Sequence, residues 1–242
     1  MKINAATKYH IYSTKMAIVI FYIIMIISTV LSFLLSLIFD GNTKFGGISE
    51  SSVIFLFVIG ICSFTGPFKM MMQNGVSRNE LWKSFIKSSA LIASAMSAID
   101  LFVTGIASLF MNVVPMSIVI SSAYLDNSLL KIINSFFLQV ALYVLAISLG
   151  YFIRLIYYRL NKLGRTIISI SVPVFLFIGL PMIELHMLNP VDWSLSSIID
   201  FFAWTTAPYN SYGLPMLYIY LIAVTVILLL LSKKLIQNAQ LK

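Results

Sequence analysis

Residues 16–39 read MAIVIFYIIMIISTVLSFLLSLIF, a run of 24 residues without a charged side chain. A helix that crosses a bilayer needs about 20 mostly apolar residues, since each residue adds about 1.5 Å along the helix axis. The run exceeds the usual apolar core of a secretory signal, and the DGNT that follows at 40–43 is no small-residue cleavage site. This stretch therefore predicts a retained transmembrane helix.

Five further stretches have the length and composition of a membrane span. Hydrophobic residues make up 60% of the chain and charged residues only 10%, whereas soluble domains carry roughly 25% charged residues. We therefore predict an all-α integral membrane protein, a single transmembrane domain over residues 1–242 with six transmembrane helices. The predicted spans are about 16–39, 52–68, 85–114, 135–157, 167–183 and 215–232.

The basic residues are unevenly distributed around these spans. Fourteen of the 16 Lys and Arg residues lie on one side of the predicted membrane, and only Lys44 and Lys131 lie on the other. Cytoplasmic loops retain Lys and Arg, so we predict a multi-pass plasma-membrane protein with both termini in the cytoplasm. The net charge of +8 is then a signal of topology, and its neighbours are anionic lipid headgroups rather than nucleic acid.

The N-terminal segment before the first span has a weak helical pattern. Several of its apolar residues share one helical face, and three lysines flank that face. This pattern predicts a short N-terminal interfacial helix over residues 1–15. The residues of the face are Ile3, Ala6, His10 and Ile11.

The long link at 185–214 is the other unusual segment. Apolar residues repeat with helical spacing over 194–206, a segment of about 13 residues that is too short to span a bilayer. Trp193 and Trp204 fit the aromatic belt at a membrane surface. We predict that this link stays at the extracellular face as re-entrant or surface helices before the sixth span.

The sequence lacks the common motifs of nucleotide and metal chemistry. No Lys follows a Gly as a phosphate-binding loop requires, and neither HExxH nor paired cysteines occur. His10 and His186 fall on opposite sides of the predicted membrane, and the single Cys62 lies inside an apolar run. We predict no catalytic residue, no metal site and no cofactor in this chain, so that any ATP and Mg²⁺ must be bound by a partner.

Asp100 lies near the middle of the third predicted span. A carboxylate at that depth costs about 2.5–3.5 kcal/mol on insertion scales, so we expect Asp100 to face protein rather than lipid. Two interpretations stay open. Asp100 is either a functional group, as a proton relay or a polar point on a substrate path, or a protonated or hydrogen-bonded residue that joins two helices.

The link between the second and third predicted spans carries the most informative short pattern, NGVSRNELWKS at 74–84. Asn74-Gly75 is a turn signal. Ser77, followed by Glu80 three residues later, matches the capping box that starts a helix. The sequence therefore predicts a turn and then a helix that begins at Arg78 and extends toward the third span.

Two interpretations of this link also stay open. It is either a plain hairpin connection made of positive-inside residues, or a docking helix that presents Val76, Leu81 and Trp82 to a cytoplasmic partner.

The order of these segments, together with NGVSRNELWKS at 74–84, resembles the permease subunits of type-2 ABC exporters. The resemblance extends in layout over the whole chain and is most specific to the small half-transporters of Gram-positive bacteria, which include exporters of phenol-soluble modulins. It implies that the link after the second span is a coupling helix seated in a groove of an ATPase subunit. The coupling residues implied in this way are Gly75, Val76, Ser77, Arg78, Glu80, Leu81 and Trp82.

The resemblance implies a permease subunit of an ATP-driven exporter that moves an amphipathic or hydrophobic substrate, such as a peptide, lipid or antibiotic, out of the cell. The implied partners are separate cytoplasmic ABC ATPase subunits, a second permease chain, identical or related, and membrane lipid. Asp100 has no counterpart in the family pattern. It motivates one alternative, a proton-coupled secondary transporter, and a non-transporting membrane scaffold or immunity protein is another.

Overall fold

The part of the chain that the computed structural model describes is helical. It comprises residues 2–38, 48–110, 116–122, 125, 127–161, 163–166, 169 and 213–237. Its helices are α1 (Lys2–Ile38), α2 (Ile48–Cys62), α3 (Thr65–Gln73), α4 (Arg78–Ala107), α5 (Met116–Ser122), α6 (Ser128–Arg159) and α7 (Gly213–Gln237).

Five helical stretches in the described residues are long and apolar enough to cross a membrane. The chain is therefore a multi-pass membrane protein. Five of the predicted spans overlap these stretches. The predicted span at 167–183 apart from residue 169, and the link at 185–214 apart from its last two residues, lie outside the described residues, and so do Trp193 and Trp204. The five stretches are Ile3–Leu34, Ile48–Gln73, Arg78–Ala107, Ser128–Arg159 and Leu214–Gln237.

The predicted N-terminal interfacial helix is not a separate element. Helix α1 runs without a break from Lys2 to Ile38, so residues 2–15 form its first part. No glycine or proline occurs between these two ends, and an uninterrupted helix satisfies its own backbone hydrogen bonds.

Contacts between helices define their directions. Helices α1 and α4 run parallel, because the His10 ring meets Phe85 near the start of both helices and Phe33 meets Phe110 near the end. Helix α6 runs antiparallel to α4, since the ring of Tyr151, near the end of α6, stacks on Phe85 at a centroid distance of 3.7 Å.

Most of the basic residues consequently lie at one end of the helix bundle, here called the basic end. Arg78 at the start of α4 donates a hydrogen bond to a backbone carbonyl at the end of α7. Nε of Arg154 near the end of α6 donates to Oγ1 of Thr65 at the start of α3, at 2.8 Å. The described basic side chains at this end are Lys8, Lys15, Lys69, Arg78, Lys83, Lys87, Arg154, Arg159, Arg165, Lys233 and Lys234.

Helices α2 and α6 come into backbone contact where each carries a buried glycine. A Cβ atom placed on Gly60 would lie 2.2 Å from the carbonyl oxygen of Ile147, and one on Gly150 would lie 2.1 Å from the carbonyl oxygen of Phe57. Small residues allow this backbone-to-backbone contact, which is a principal source of helix association in lipid.

Candidate functional site

The link between α3 and α4 forms a tight, capped turn. Gly75 has a φ of 69°, a left-handed conformation that glycine adopts without a steric penalty. The N–H of Val76 donates to the carbonyl of Met71 at 3.0 Å, which closes the turn.

Ser77 and Glu80 then cap α4 reciprocally. The Ser77 hydroxyl accepts from the Glu80 N–H at 3.2 Å, and the Glu80 carboxylate accepts from the Ser77 N–H at 2.9 Å. The predicted turn and capping box are therefore confirmed. The helix that begins at Arg78 continues as α4 to Ala107, so within this chain the predicted coupling helix is the first turn of a long helix.

The apolar residues of the link contact other parts of the same chain. Leu81 is only 1% exposed in the core, and Val76 is half-buried against that core. Nε1 of Trp82 donates to the carbonyl of Leu229 on α7 at 3.1 Å, and Nζ of Lys233 lies 5.1 Å from the centre of the Trp82 ring. These side chains join the link to the bundle, and its outward-facing surface is polar.

We call this outward-facing surface the coupling turn. Its exposed members are Asn74, Gly75, Ser77, Asn79 and Lys83, and the half-buried Val76, Arg78 and Glu80 border it.

Asp100 is fully buried, as the sequence predicts, and its side chain binds groups from two other helices. The Tyr22 hydroxyl of α1 donates to Oδ1 at 2.8 Å, and the Tyr143 hydroxyl of α6 donates to Oδ2. Nε2 of Gln139, one turn before Tyr143, donates to the Tyr143 hydroxyl at 2.6 Å. These four residues, here called the Asp100 cluster, link α1, α4 and α6.

Helix α2 adds a further polar group beside this cluster. The hydroxyl of Ser52 is buried and lies near Asp100 and Tyr143, although it forms no hydrogen bond of good geometry within the described part of the chain. On α4 itself, Thr104 donates to the backbone carbonyl of Asp100 at 2.5 Å. Both of these groups beside the cluster are neutral and polar.

Sequence analysis identified Asp100 but missed Tyr22, Gln139 and Tyr143. Two signals pointed to them. Tyr22 and Tyr143 lie inside their spans rather than at the ends, where tyrosines are enriched. Gln139 and Tyr143 are four residues apart and so share one helical face.

An apolar groove of about 530 Å³ lies between α1 and α4, farther from the basic end than the Asp100 cluster. Its walls combine aliphatic and aromatic side chains from the second halves of both helices. They are Ile26, Thr29, Val30, Phe33, Phe102, Val103, Ile106, Ala107 and Phe110.

His10, at the other end of the α1–α4 contact, is 3% exposed, and its Nε2 has no hydrogen-bond partner among the described residues. Its ring lies between those of Tyr9 and Phe85, with edge-to-face geometry to both. Within the described residues, no group of three or more His, Cys, Asp or Glu side chains is placed to hold a metal ion.

The described helices and the Asp100 cluster define the class of this chain as an all-helical, multi-pass membrane protein. Comparisons with protein-family models, with curated proteins and with solved structures yield no significant match.

Proposed function

We propose that this chain is the transmembrane permease subunit of an ATP-driven exporter, and that the coupling turn docks on a separate cytoplasmic ATPase. The observation that carries this proposal is the construction of the turn. It presents a polar, exposed tip, yet a capping box and the Trp82 hydrogen bond to α7 join it directly to two long apolar helices.

Such a turn suits the transmission of force. The tip is held by a left-handed Gly75 and by hydrogen bonds at both of its ends, so displacing it displaces the start of α4. Leu81, one turn into α4, packs in the core and passes that displacement to its neighbours. Trp82 extends the same movement to α7, so two helices respond to one contact.

The position of the turn agrees with a cytoplasmic partner. It lies at the basic end of the bundle, and positive-inside retention assigns this end to the cytoplasm. The apolar groove between α1 and α4 offers an amphipathic or hydrophobic substrate a surface that opens toward lipid. A second permease chain, identical or related, completes the transporter, and ATP and Mg²⁺ belong to the ATPase.

The test is co-expression and co-purification of this chain with a candidate ABC ATPase, for example one that an adjacent reading frame with a phosphate-binding loop would encode, followed by ATPase assays with and without the chain. Asn79→Glu adds a negative charge at an exposed position of the coupling turn, and Ser128→Glu adds the same charge at an exposed position near the opposite end. We expect Asn79→Glu to weaken ATPase association at least tenfold and Ser128→Glu to leave it unchanged. If both variants bind the ATPase equally well, the coupling turn is not the surface that docks on it.

The Asp100 cluster favours a second candidate, a secondary transporter driven by protons. The specific observation is a fully buried carboxyl group that three helices share. This candidate predicts transport in vesicles that contain the chain without any ATPase, driven by an imposed pH gradient and abolished by Asp100→Asn.

A further inference from the structure

In the Asp100 cluster, one hydroxyl group has fewer hydrogens than acceptors within reach. The Tyr22 hydroxyl carries one hydrogen but lies within hydrogen-bond distance of two acceptors, Oδ1 of Asp100 at 2.8 Å and the carbonyl oxygen of Met96 at 3.2 Å. If Asp100 is ionised, Tyr22 can serve only one of these acceptors well.

A protonated Asp100 resolves this conflict. In that state the 2.8 Å contact between Tyr22 and Asp100 reverses its direction, so that Oδ1–H donates to the Tyr22 oxygen and the Tyr22 hydrogen binds the Met96 carbonyl. On the other side, Gln139 donates to Tyr143 and Tyr143 donates to Oδ2. The hydrogen bonds then run in one direction, from Gln139 to the Met96 carbonyl, and each of the linking hydrogens has an acceptor.

We propose that Asp100 is a buried proton-binding site, so that the folded protein holds this side chain as a neutral carboxylic acid at neutral pH. The acid is the central link of a hydrogen-bond chain that ties α1 to α4 and α6. This inference does not depend on the proposed function.

The surroundings of Asp100 support a neutral side chain. Among the described residues, the titratable groups that face it are Tyr22 from α1 and Tyr143 from α6, and α2 contributes the Ser52 hydroxyl. The cation that α7 brings against α4 is Lys233, which lies over Trp82, about 27 Å from Asp100 along the axis of α4 at 1.5 Å per residue. A buried carboxylate without a nearby cation is costly, whereas a hydrogen-bonded neutral acid avoids most of that cost.

Two substitutions of Asp100 differ in whether they preserve its hydrogen bonds. In Asp100→Asn, the amide oxygen accepts from Tyr143 and the amide nitrogen donates to Tyr22, so the whole chain of hydrogen bonds keeps its direction. Asp100→Leu has a similar size but supplies neither group. It leaves Tyr143 without an acceptor and ends the connection to Tyr22.

Infrared spectroscopy of the full-length protein in lipid nanodiscs at pH 7 tests the protonation state directly. We expect the wild type minus Asp100→Asn difference spectrum to show the carbonyl stretch of a protonated carboxylic acid. The matched control is Glu50→Gln, which removes an exposed carboxyl group and should leave the acid band in place. Loss of a carboxylate band, and no acid band, in Asp100→Asn would overturn the proposal.

A second measurement locates the acid within the cluster. Tyr143→Phe removes the donor to Oδ2, so the infrared band of the acid carbonyl should move to higher frequency. In thermal unfolding, Asp100→Asn should melt close to the wild type, whereas Asp100→Leu should melt at a lower temperature. An acid band with the same frequency in Tyr143→Phe and in the wild type would contradict the hydrogen-bond chain, and so would equal melting temperatures of Asp100→Asn and Asp100→Leu. Because these experiments need no ATPase, their failure would leave the proposed function untouched.

Discussion

The glycine contact between α2 and α6 leads to a sharp prediction about stability. Gly60→Ala or Gly150→Ala places a methyl group 2.2 Å or 2.1 Å from a backbone carbonyl oxygen of the facing helix. Real Cβ atoms essentially never come within 3.0 Å of another heavy atom, so the two helices must separate by about 1 Å. The obstacle is backbone on both sides, and no flexible side chain can move away to relieve it.

The magnitude follows from two opposing terms. Overpacking of a well-packed contact costs about 1–3 kcal/mol, and a helix gains up to about 1 kcal/mol when alanine replaces an interior glycine. Because the obstacle is backbone, the overpacking cost should lie in the upper part of its range, at about 2–3 kcal/mol, and we therefore expect a net loss of about 1–2 kcal/mol for either variant. Gly105→Ala on α4 is the matched control, because the position is exposed and an added Cβ meets no atom within 4 Å.

Thermal unfolding of the purified variants in one detergent measures this difference. Gly60→Ala and Gly150→Ala should unfold at lower temperature than the wild type, and Gly105→Ala at the same or a higher temperature. If all three variants unfold together, α2 and α6 are not held at the distance described here, and the argument from backbone contact is refuted.

Three other outcomes follow from the same structure. Gly75→Ala should lower the unfolding temperature, because the left-handed φ of 69° costs a residue with a Cβ about 1–2 kcal/mol; an unchanged temperature would contradict a left-handed turn. Trp82→Phe keeps an aromatic ring but removes the donor to α7, so it should cost about 1 kcal/mol in the same assay, and no loss would argue against that hydrogen bond. In a Cys62→Ala background, Asn79→Cys should react with an impermeant thiol reagent only after the cells are opened, and Lys131→Cys should react in intact cells; the reverse pattern would invert the topology.

Sequence analysis predicted well those features that depend on one segment at a time. Length and hydrophobicity are sufficient for a span, and Ser77 with Glu80 is sufficient for a cap, so both were predictable. The burial of Asp100 followed from the cost of a carboxylate in lipid alone.

The pairing of helices was not predictable in this way. In water, an apolar stripe marks the buried face of a helix, but in lipid every face is apolar. Met96 is buried and Ile99 is exposed, although both are apolar residues of the same span. The partners of Asp100, Tyr22 and Tyr143, are far from it in the chain, and only the three-dimensional arrangement brings them together.

For the same reason, the sequence could not show what the apolar residues of the link between α3 and α4 contact. The apolar character of Leu81 and Trp82 indicated that they bind something, but a span of the same chain and a partner protein present the same chemistry to them. The structure assigns both side chains to the bundle.

The reciprocal glycines at Gly60 and Gly150 also bear on which parts of the bundle move. At these two glycines backbone packs against backbone, with no side chain between α2 and α6 whose rotamer could change to let them slide, so we expect the two helices to behave as one rigid body. The seam between α1 and α4 is different, because its described side chains form a polar attachment at Tyr22 and, beyond it, an apolar groove. Any opening of this protein toward the lipid should therefore begin along the α1–α4 seam, with α2 and α6 as the stationary frame.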